Sequence, residues 1–219
     1  MVVKIHGLPP SVCTCTVAVV LKEVNVPYDI VPVNFPDMKG EDYLTQKHPF
    51  GQMPVLIEED GFKLFESRAI ARYLVAKHTP DSKLIPKDPK ANALFEQAVS
   101  IENNDFYPYA SGFALEKIFK PAHGVQGSDE RAAEYVSTLE KKLEGYERIL
   151  SKQKYLAGNE LTLADLFHLP FGTFITEVLG FKGFEALPNV ARWWNEISSR
   201  ESWAEVMPGM LGYYLGQKK

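Results

Sequence analysis

The sequence predicts a chain of two parts, a mixed α/β domain followed by an all-helical domain. Three observations predict this: a strand–helix–strand pattern at the start, an Asp-Gly turn between two short apolar runs, and purely helical periodicity after a proline-rich segment. The chain has 219 residues, of which 45% are hydrophobic. That length is enough to bury two small cores.

The first strands and helix follow from the apolar pattern and its breaks. Residues 2–6 alternate and end at Gly7, which predicts a strand. Leu8-Pro9-Pro10 is a turn, because prolines cannot extend a β-ladder. Ser11 then opens a helix over 12–24, and a second strand follows over 28–33. Such a unit of roughly thirty residues is right-handed and pairs its strands in parallel.

The rest of the first domain adds a hairpin and a helix. Residues 34–48 are charged and irregular, with one helical turn expected around Tyr43 and Leu44. Strands over 54–58 and 62–65 are joined by Glu59-Asp60-Gly61, and Asp-Gly favours an antiparallel hairpin. A helix over 66–78 completes the order of a thioredoxin-like domain. Likeness of fold alone says little about function.

The boundary between the parts lies in a segment rich in proline and charge. Residues 79–90 hold three prolines and five charged side chains, which is typical of a linker. We therefore expect a thioredoxin-like domain over 1–80, a linker over 81–90 and an all-helical domain over 91–219. The amphipathic stretches of the helical part fall at about 89–120, 129–151, 162–179 and 189–200.

Composition excludes several classes of protein. A net charge of -4 argues against nucleic acid as a partner. No apolar run approaches the roughly 18 residues of a membrane span. The two cysteines, Cys13 and Cys15, point about 200° apart on a helix, so no disulfide between them is expected. This usage fits a reducing compartment and predicts a cytoplasmic location. The five scattered histidines give no metal site.

One helix start and the tryptophans are interpreted as structural. Thr162 fits an N-cap, Asp165 fits the third helical position of a short capping box, and Leu161 with Leu166 forms a hydrophobic staple. Large aromatic side chains bury the most apolar area per residue. We therefore expect Trp193, Trp194 and Trp203 to be core or docking residues.

Two neighbouring motifs predict a site for a small polar peptide. Pro49-Phe50-Gly51-Gln52-Met53-Pro54 precedes a short strand, and Phe65-Glu66-Ser67-Arg68-Ala69-Ile70 opens a helix. The first amides of a helix lack partners and attract anions. A glutamine, a backbone segment beside proline, an acid and a hydroxyl therefore converge where a peptide carboxylate can lie. The alternative is that Glu66-Ser67 merely caps the helix.

Together with Ser11 and Leu161-Thr162-Leu163-Ala164-Asp165, these motifs make the whole chain resemble a cytosolic glutathione S-transferase, most closely the phi class. The resemblance implies that Met53-Pro54 is a cis-proline step. The Met53 backbone would then pair with glutathione as an added strand does. It also implies that Gln52 contacts the tripeptide backbone and that Glu66 and Ser67 hold the γ-glutamyl end.

The sequence departs from the phi pattern at one point. Plant phi sequences carry His-Lys before Pro-Phe-Gly-Gln, and these side chains reach the glycine carboxylate. Here the segment 37–43 is shorter, and Lys39 is the cation expected to substitute. The alternative is a solvated lysine.

Ser11 is the predicted catalytic residue. The thiolate of glutathione is the nucleophile, and a hydroxyl hydrogen bond together with a positive helix end favours the thiolate over the thiol. Ser11 lies at the start of the first helix and matches the catalytic serine of phi enzymes. Its alternative role is that of an N-cap. Cys13, two residues later, is the alternative nucleophile, and a buried apolar role is also open to it.

The resemblance further implies glutathione conjugation to hydrophobic electrophiles, with peroxide reduction by the same thiolate as a further activity. Glutathione is the co-substrate, and no permanently bound cofactor is expected. The residues expected to line the electrophile site in an apolar cleft between the domains are Pro10, Val12, Phe113 and Phe119. A homodimer is expected, with Phe50 matching an aromatic residue that docks into the partner; the alternative for Phe50 is a place in the core. Two alternatives stay open: a non-catalytic carrier (ligandin) of apolar ligands, and a thiol transferase that uses Cys13.

Overall fold

The computed structural model of the chain describes residues 2–216. They form two compact units. One contains the described residues up to Ser82 together with those from Glu201 onward, and the other runs from Lys83 to Arg200. Among the helices within 2–216, none has both the length and the apolar character that a membrane crossing requires.

The first unit is built on a four-stranded mixed sheet. Its strands are β1 (Val3–Gly7), β2 (Tyr28–Pro32), β3 (Val55–Ile57) and β4 (Lys63–Phe65), in the order β2-β1-β3-β4. β1 runs parallel to β2 and antiparallel to β3, and β3 pairs antiparallel with β4. The predicted crossover and hairpin are confirmed, because the proline turn and the Asp-Gly turn break the apolar runs where the sequence indicates.

Three helices precede the second unit: α1 (Val12–Glu23), α2 (Glu41–Gln46) and α3 (Ser67–His78). The sequence predicts an irregular segment with a single helical turn here. The structure is more regular, with a 3₁₀ turn at Asp37–Lys39 followed by the six-residue helix α2. α2 begins with two acids, which suit a helix N-terminus. Tyr43 anchors it, since its ring is buried and its hydroxyl donates to the Gln52 carbonyl at 2.8 Å.

The last helix, α11 (Glu201–Gly216), packs against α1 in the first unit. The hydroxyl of Ser202 donates to the Glu23 carboxylate at 2.6 Å, and Lys22 pairs with Glu205. The predicted division had assigned residues 91–219 to one helical domain. The structure groups this helix with the first unit instead, because its contacts are with α1.

The second unit is entirely helical. Its α-helices are α4 (Pro89–Ile101), α5 (Tyr107–Ala114), α6 (Lys120–Ala122), α7 (Asp129–Leu150), α8 (Leu163–Leu166), α9 (Leu169–Thr173) and α10 (Pro188–Ser198). Short π-helical segments at Glu102–Phe106 and Leu115–Phe119 connect α4, α5 and α6. The predicted stretch at 89–120 is therefore one helical run with two wide turns.

The stretch predicted over 162–179 is broken into α8, α9 and a π-helical segment at Phe174–Val178. Pro170 lies near the start of α9, where its missing N–H costs no helical hydrogen bond. The apolar pattern does not reveal this break, since almost every residue here is buried and no polar face marks the period.

The structure confirms the predicted capping box, and Asp165 also accepts hydrogen bonds from outside it. Asp165 is fully buried, and its two oxygens accept from Thr162 N, Thr162 Oγ1, Leu156 N and Trp193 Nε1 at 3.0–3.1 Å. Burial raises the pKa of Asp165, and these four donors oppose that rise. A single carboxylate therefore ties the start of α8 to the preceding loop and to the core tryptophan of α10.

Candidate functional site

The register of the sheet brings the sequence motifs to one end of the first unit. His6, near the end of β1, pairs with Val55 at the start of β3, and Val55 pairs with Phe65 at the end of β4. The chain leaves this end toward Ser11 and enters α3 through Glu66. It arrives at β3 through Pro54. Three segments far apart in sequence are therefore neighbours in the fold.

The turn before β3 presents backbone groups. The Met53-Pro54 peptide bond is cis, as the resemblance implies. Met53 is half-buried, and within residues 2–216 no hydrogen bond is made by its backbone N–H or C=O. An extended peptide beside this residue can therefore pair with both groups, as strands do at a sheet edge.

Lys39 and Gln52 lie beside this turn. The ammonium of Lys39 donates to the Gly51 carbonyl at 3.2 Å, so its positive charge lies next to the residue that precedes Gln52. Gly51 has φ of 60°, and a Cβ there would lie 2.6 Å from the Met38 carbonyl oxygen, so glycine is required for this approach. The side chain of Gln52 is exposed while its carbonyl is held by Tyr43.

Glu66 and Ser67 form an uncapped helix start. Glu66 occupies the N-cap position of α3 with φ of 70°, and no side chain caps the helix there. Such a conformation is unfavourable for a residue with a Cβ and is concentrated at functional sites. Ser67 is buried at the first helical position. The alternative, in which the Glu66 side chain caps the helix, is not the geometry of the structure. The N-terminus of a helix is a favourable place for an anion.

His48 connects the two motifs and was not singled out in the sequence. It is 2% exposed, its Nδ1 accepts from the Phe50 N–H at 3.2 Å, and its ring lies 4.7 Å from that of Phe65. Burial lowers the pKa of His48, and the charge of Glu66 opposes this. A neutral ring is therefore favoured, as the bond to Phe50 requires. A lone histidine before Pro49 carries no pattern from which this contact can be predicted.

Ser11 is the N-cap of α1, so its structural role is realised. Its Oγ accepts from Thr14 N at 3.3 Å, its N–H donates to the Leu8 carbonyl at 3.0 Å, and its carbonyl accepts from Cys15 N at 2.9 Å. Among the described residues the hydroxyl makes no other hydrogen bond, so its proton can be donated elsewhere. Capping and donation to a thiolate are compatible.

The cysteines differ in environment. Cys15 is 2% exposed, and burial, with a smaller contribution from Cys13, raises its pKa to about 12. Cys13 is half-buried at the second helical position of α1, and neither cysteine forms a disulfide. In the part of the chain that the structure describes, no three histidine, cysteine or acidic side chains are grouped to hold a metal ion.

The residues expected to line the electrophile site are distributed over both units. Within the first unit Pro10 is half-buried and Val12 is buried. Within the second unit Phe113 and Phe119 are half-buried, and the ring of Phe119 lies 5.5 Å from that of the buried Phe174. Phe50 is 67% exposed, which is the largest exposure among the large hydrophobic residues described.

Comparison with known proteins gives two family matches. Residues 1–76 match the model of the glutathione S-transferase N-terminal domain. Residues 104–201 match that of the glutathione S-transferase C-terminal domain.

Individual relatives match over almost the full length. The chain is 50% identical over 215 residues to glutathione S-transferase PM239X14 of Arabidopsis thaliana, covering 95% of this chain and 94% of that protein. It is 40% identical to glutathione S-transferase hmp2 of Hypomyces subiculosus, covering 94% and 98%. The crystal structure of glutathione transferase F7 from Populus trichocarpa superposes with a TM-score of 0.88 at 34% identity, covering 95% and 99%. The structure of maize glutathione S-transferase I in complex with an atrazine glutathione conjugate superposes with a TM-score of 0.88 at 31% identity. The match covers 96% of this chain and 98% of that one.

Proposed function

The chain belongs to the glutathione S-transferase family, with plant phi-class relatives, and from that premise we propose that Ser11 holds the sulfur of glutathione as a thiolate. The observation that carries the proposal is a serine hydroxyl at the N-terminus of α1, with a proton left to donate, at the same end of the sheet as Met53 and Glu66. A hydrogen bond to the charged sulfur and the positive end of a helix both lower a thiol pKa.

The same end of the sheet has the groups that a γ-glutamyl tripeptide requires. The Met53 backbone pairs with the backbone of the glutathione cysteine, and Gln52 contacts the neighbouring peptide group. Ser67 and the N-terminus of α3 take the γ-glutamyl carboxylate, and Glu66 takes the ammonium beside it. Lys39 supplies the cation for the glycine carboxylate, since its ammonium already lies against Gly51.

The chemical step is nucleophilic substitution or addition by the thiolate. With an aryl chloride, a carbon–sulfur bond forms, the carbon–chlorine bond breaks and chloride leaves, while the thiol proton passes to solvent. Within the first unit, Pro10 near the thiolate supplies an apolar contact for the hydrophobic co-substrate. The same thiolate reduces an organic hydroperoxide, in which two glutathione molecules give one disulfide while the peroxide becomes an alcohol and water.

The assembly and location that we propose are those of the family. A homodimer forms in which Phe50 docks into the partner, supported by the 67% exposure of this aromatic side chain. A cytoplasmic location is supported by the two cysteines, which form no disulfide.

Ser11→Ala tests the proposed role. We expect kcat/KM for glutathione with chlorodinitrobenzene to fall at least about tenfold. The reason is that a rise of one unit in the pKa of the bound thiol lowers the fraction of thiolate about tenfold when the pH is below that pKa. Isothermal titration should show that glutathione still binds, since Ser11 does not hold the peptide. Ser67→Ala is the matched variant, which we expect to weaken glutathione binding first.

The outcomes distinguish the alternatives. Unchanged turnover in Ser11→Ala would refute the assignment of the serine. Turnover near the uncatalysed rate in the unmodified protein, with apolar ligands bound, would favour the carrier. A glutathione adduct on Cys13 in mass spectrometry, with reductase activity lost in Cys13→Ser, would favour the thiol transferase.

A further inference from the structure

The turn that delivers Ser11 to the site runs from Leu8 to Ser11. It is closed by the hydrogen bond from Ser11 N to the Leu8 carbonyl at 3.0 Å, with Pro9 and Pro10 between them. The orientation of the Ser11 hydroxyl therefore depends on the conformation of two prolines as well as on the helix that follows.

Local preference does not favour this turn. A residue that precedes proline is biased away from the helical region, and proline is disfavoured at the third position of a common turn for that reason. Pro9 precedes Pro10, which occupies that third position. The prolines also have no N–H to add a hydrogen bond of their own. The turn therefore needs contacts from elsewhere in the fold.

Cys15 supplies one such contact. Its Sγ lies 3.2 Å from the Pro9 carbonyl oxygen, six residues back in the chain, and the thiol donates this hydrogen bond. The Cys15 side chain is 2% exposed, whereas Pro9 is an exposed residue, so the thiol reaches the Pro9 carbonyl from the protein interior. Burial raises the pKa of the thiol to about 12, so it keeps the proton that it donates.

The helix α11 also lies close to this proline. A Cβ added at Gly209 would come within 3.5 Å of the Pro9 Cβ, so the backbone of α11 is close to the turn. Pro9 therefore has two neighbours from elsewhere in the first unit, the thiol of Cys15 and the backbone of α11.

We propose that Cys15 is a positioning residue for Ser11: its thiol fixes the Pro9 carbonyl and thereby the turn that aims the serine hydroxyl at the glutathione sulfur. This rests on the proposed function of Ser11. Cys15 itself touches neither substrate nor the reacting atoms.

The test measures the pKa of the bound glutathione thiol from thiolate absorbance, together with kcat/KM, in the full-length protein. We expect Cys15→Ala to raise that pKa and to lower kcat/KM about threefold to fivefold, the order expected for one neutral hydrogen bond. Cys15→Ser keeps a donor of similar size, and we expect it to restore both values. Val20→Ala, which shortens another fully buried side chain of α1, controls for loss of stability and should leave the thiol pKa unchanged.

A double-mutant cycle separates this proposal from the one on which it rests. If Cys15 acts through Ser11, Cys15→Ala adds no further shift in a Ser11→Ala background. An unchanged thiol pKa in Cys15→Ala, no rescue by serine, or additive effects in the double variant would each overturn the positioning role while Ser11 keeps its own. An unchanged thiol pKa in Ser11→Ala would instead refute the role of Ser11, and that of Cys15 with it.

Discussion

Glu66 combines an unfavourable backbone conformation with a position at the site. Its φ of 70° places it in a region that glycine occupies at little cost. Strain of this kind costs on the order of 1–3 kcal/mol and persists where the surrounding structure enforces it. The carboxylate therefore holds its place at the expense of stability.

Substitutions at this residue should separate stability from binding. We expect Glu66→Gly to be more stable to unfolding than Glu66→Ala by about 1 kcal/mol, because only glycine relieves the conformation. Both variants lose the carboxylate, so both should bind glutathione more weakly. Urea denaturation and titration calorimetry measure the two effects. Equal stability of the two variants would show that the backbone at this position is not strained.

The helix α8 depends on a single acid. Each oxygen of Asp165 accepts two hydrogen bonds from donors that are buried with it. An asparagine has the same shape, but its NH₂ group must face two of those donors. The contribution of this residue is therefore one of charge and hydrogen bonding, with packing almost unchanged.

We expect Asp165→Asn to lower the free energy of unfolding by roughly 2–4 kcal/mol, since two buried donors lose their acceptor. Thermal denaturation measures this. Asp129→Asn is the matched control: it is also an acid in the first turn of a helix, but its side chain is 91% exposed, so little change is expected. Equal losses of stability in the two variants would show that Asp165 contributes no more than an exposed acid in the first turn of a helix.

Strong local signals made most elements predictable. Asp60-Gly61 gave the hairpin and Thr162 with Asp165 gave a helix start, because turn and cap residues act on their own neighbours. α2 was underestimated because six residues are too few to show a helical period. The break between α8 and α9 was hidden by uniform burial.

The candidate site residues also differ in whether a local sequence motif indicates them. Met53, Glu66 and Ser67 belong to contiguous motifs, so the sequence alone suggests them as candidates, and the register of the sheet brings their segments together. His48 and Cys15 act through contacts with residues that no periodicity connects to them. Single residues of this kind can be recognised only once the fold is known.

At the scale of the whole chain, α11 is the element whose place the sequence does not predict. The sequence predicts an all-helical part that extends to residue 219, but such a prediction does not say against what its last helix packs. Trp203 and Met210 of α11 are fully buried, and the helix contacts α1 of the first unit.

We therefore expect a variant truncated after Arg200 to have a less stable first unit. We expect the amides of α1 to lose protection in hydrogen exchange while those of α7 keep it, because α11 covers α1. Trp203→Ala should act in the same direction, costing roughly 3–5 kcal/mol as large-to-small core changes do. Unchanged protection of α1 in the shortened chain would mean that α11 contributes little to the first unit.

The return of α11 to the first unit also has a consequence for biosynthesis. Ribosomes extend a chain from its N-terminus at about 5–20 residues per second, and domains usually fold in that order. Here every residue of the second unit has been translated before the helix that completes the first. The first unit is therefore completed last during synthesis, and a chain whose translation stops at Arg200 has all of its second unit but an incomplete first unit.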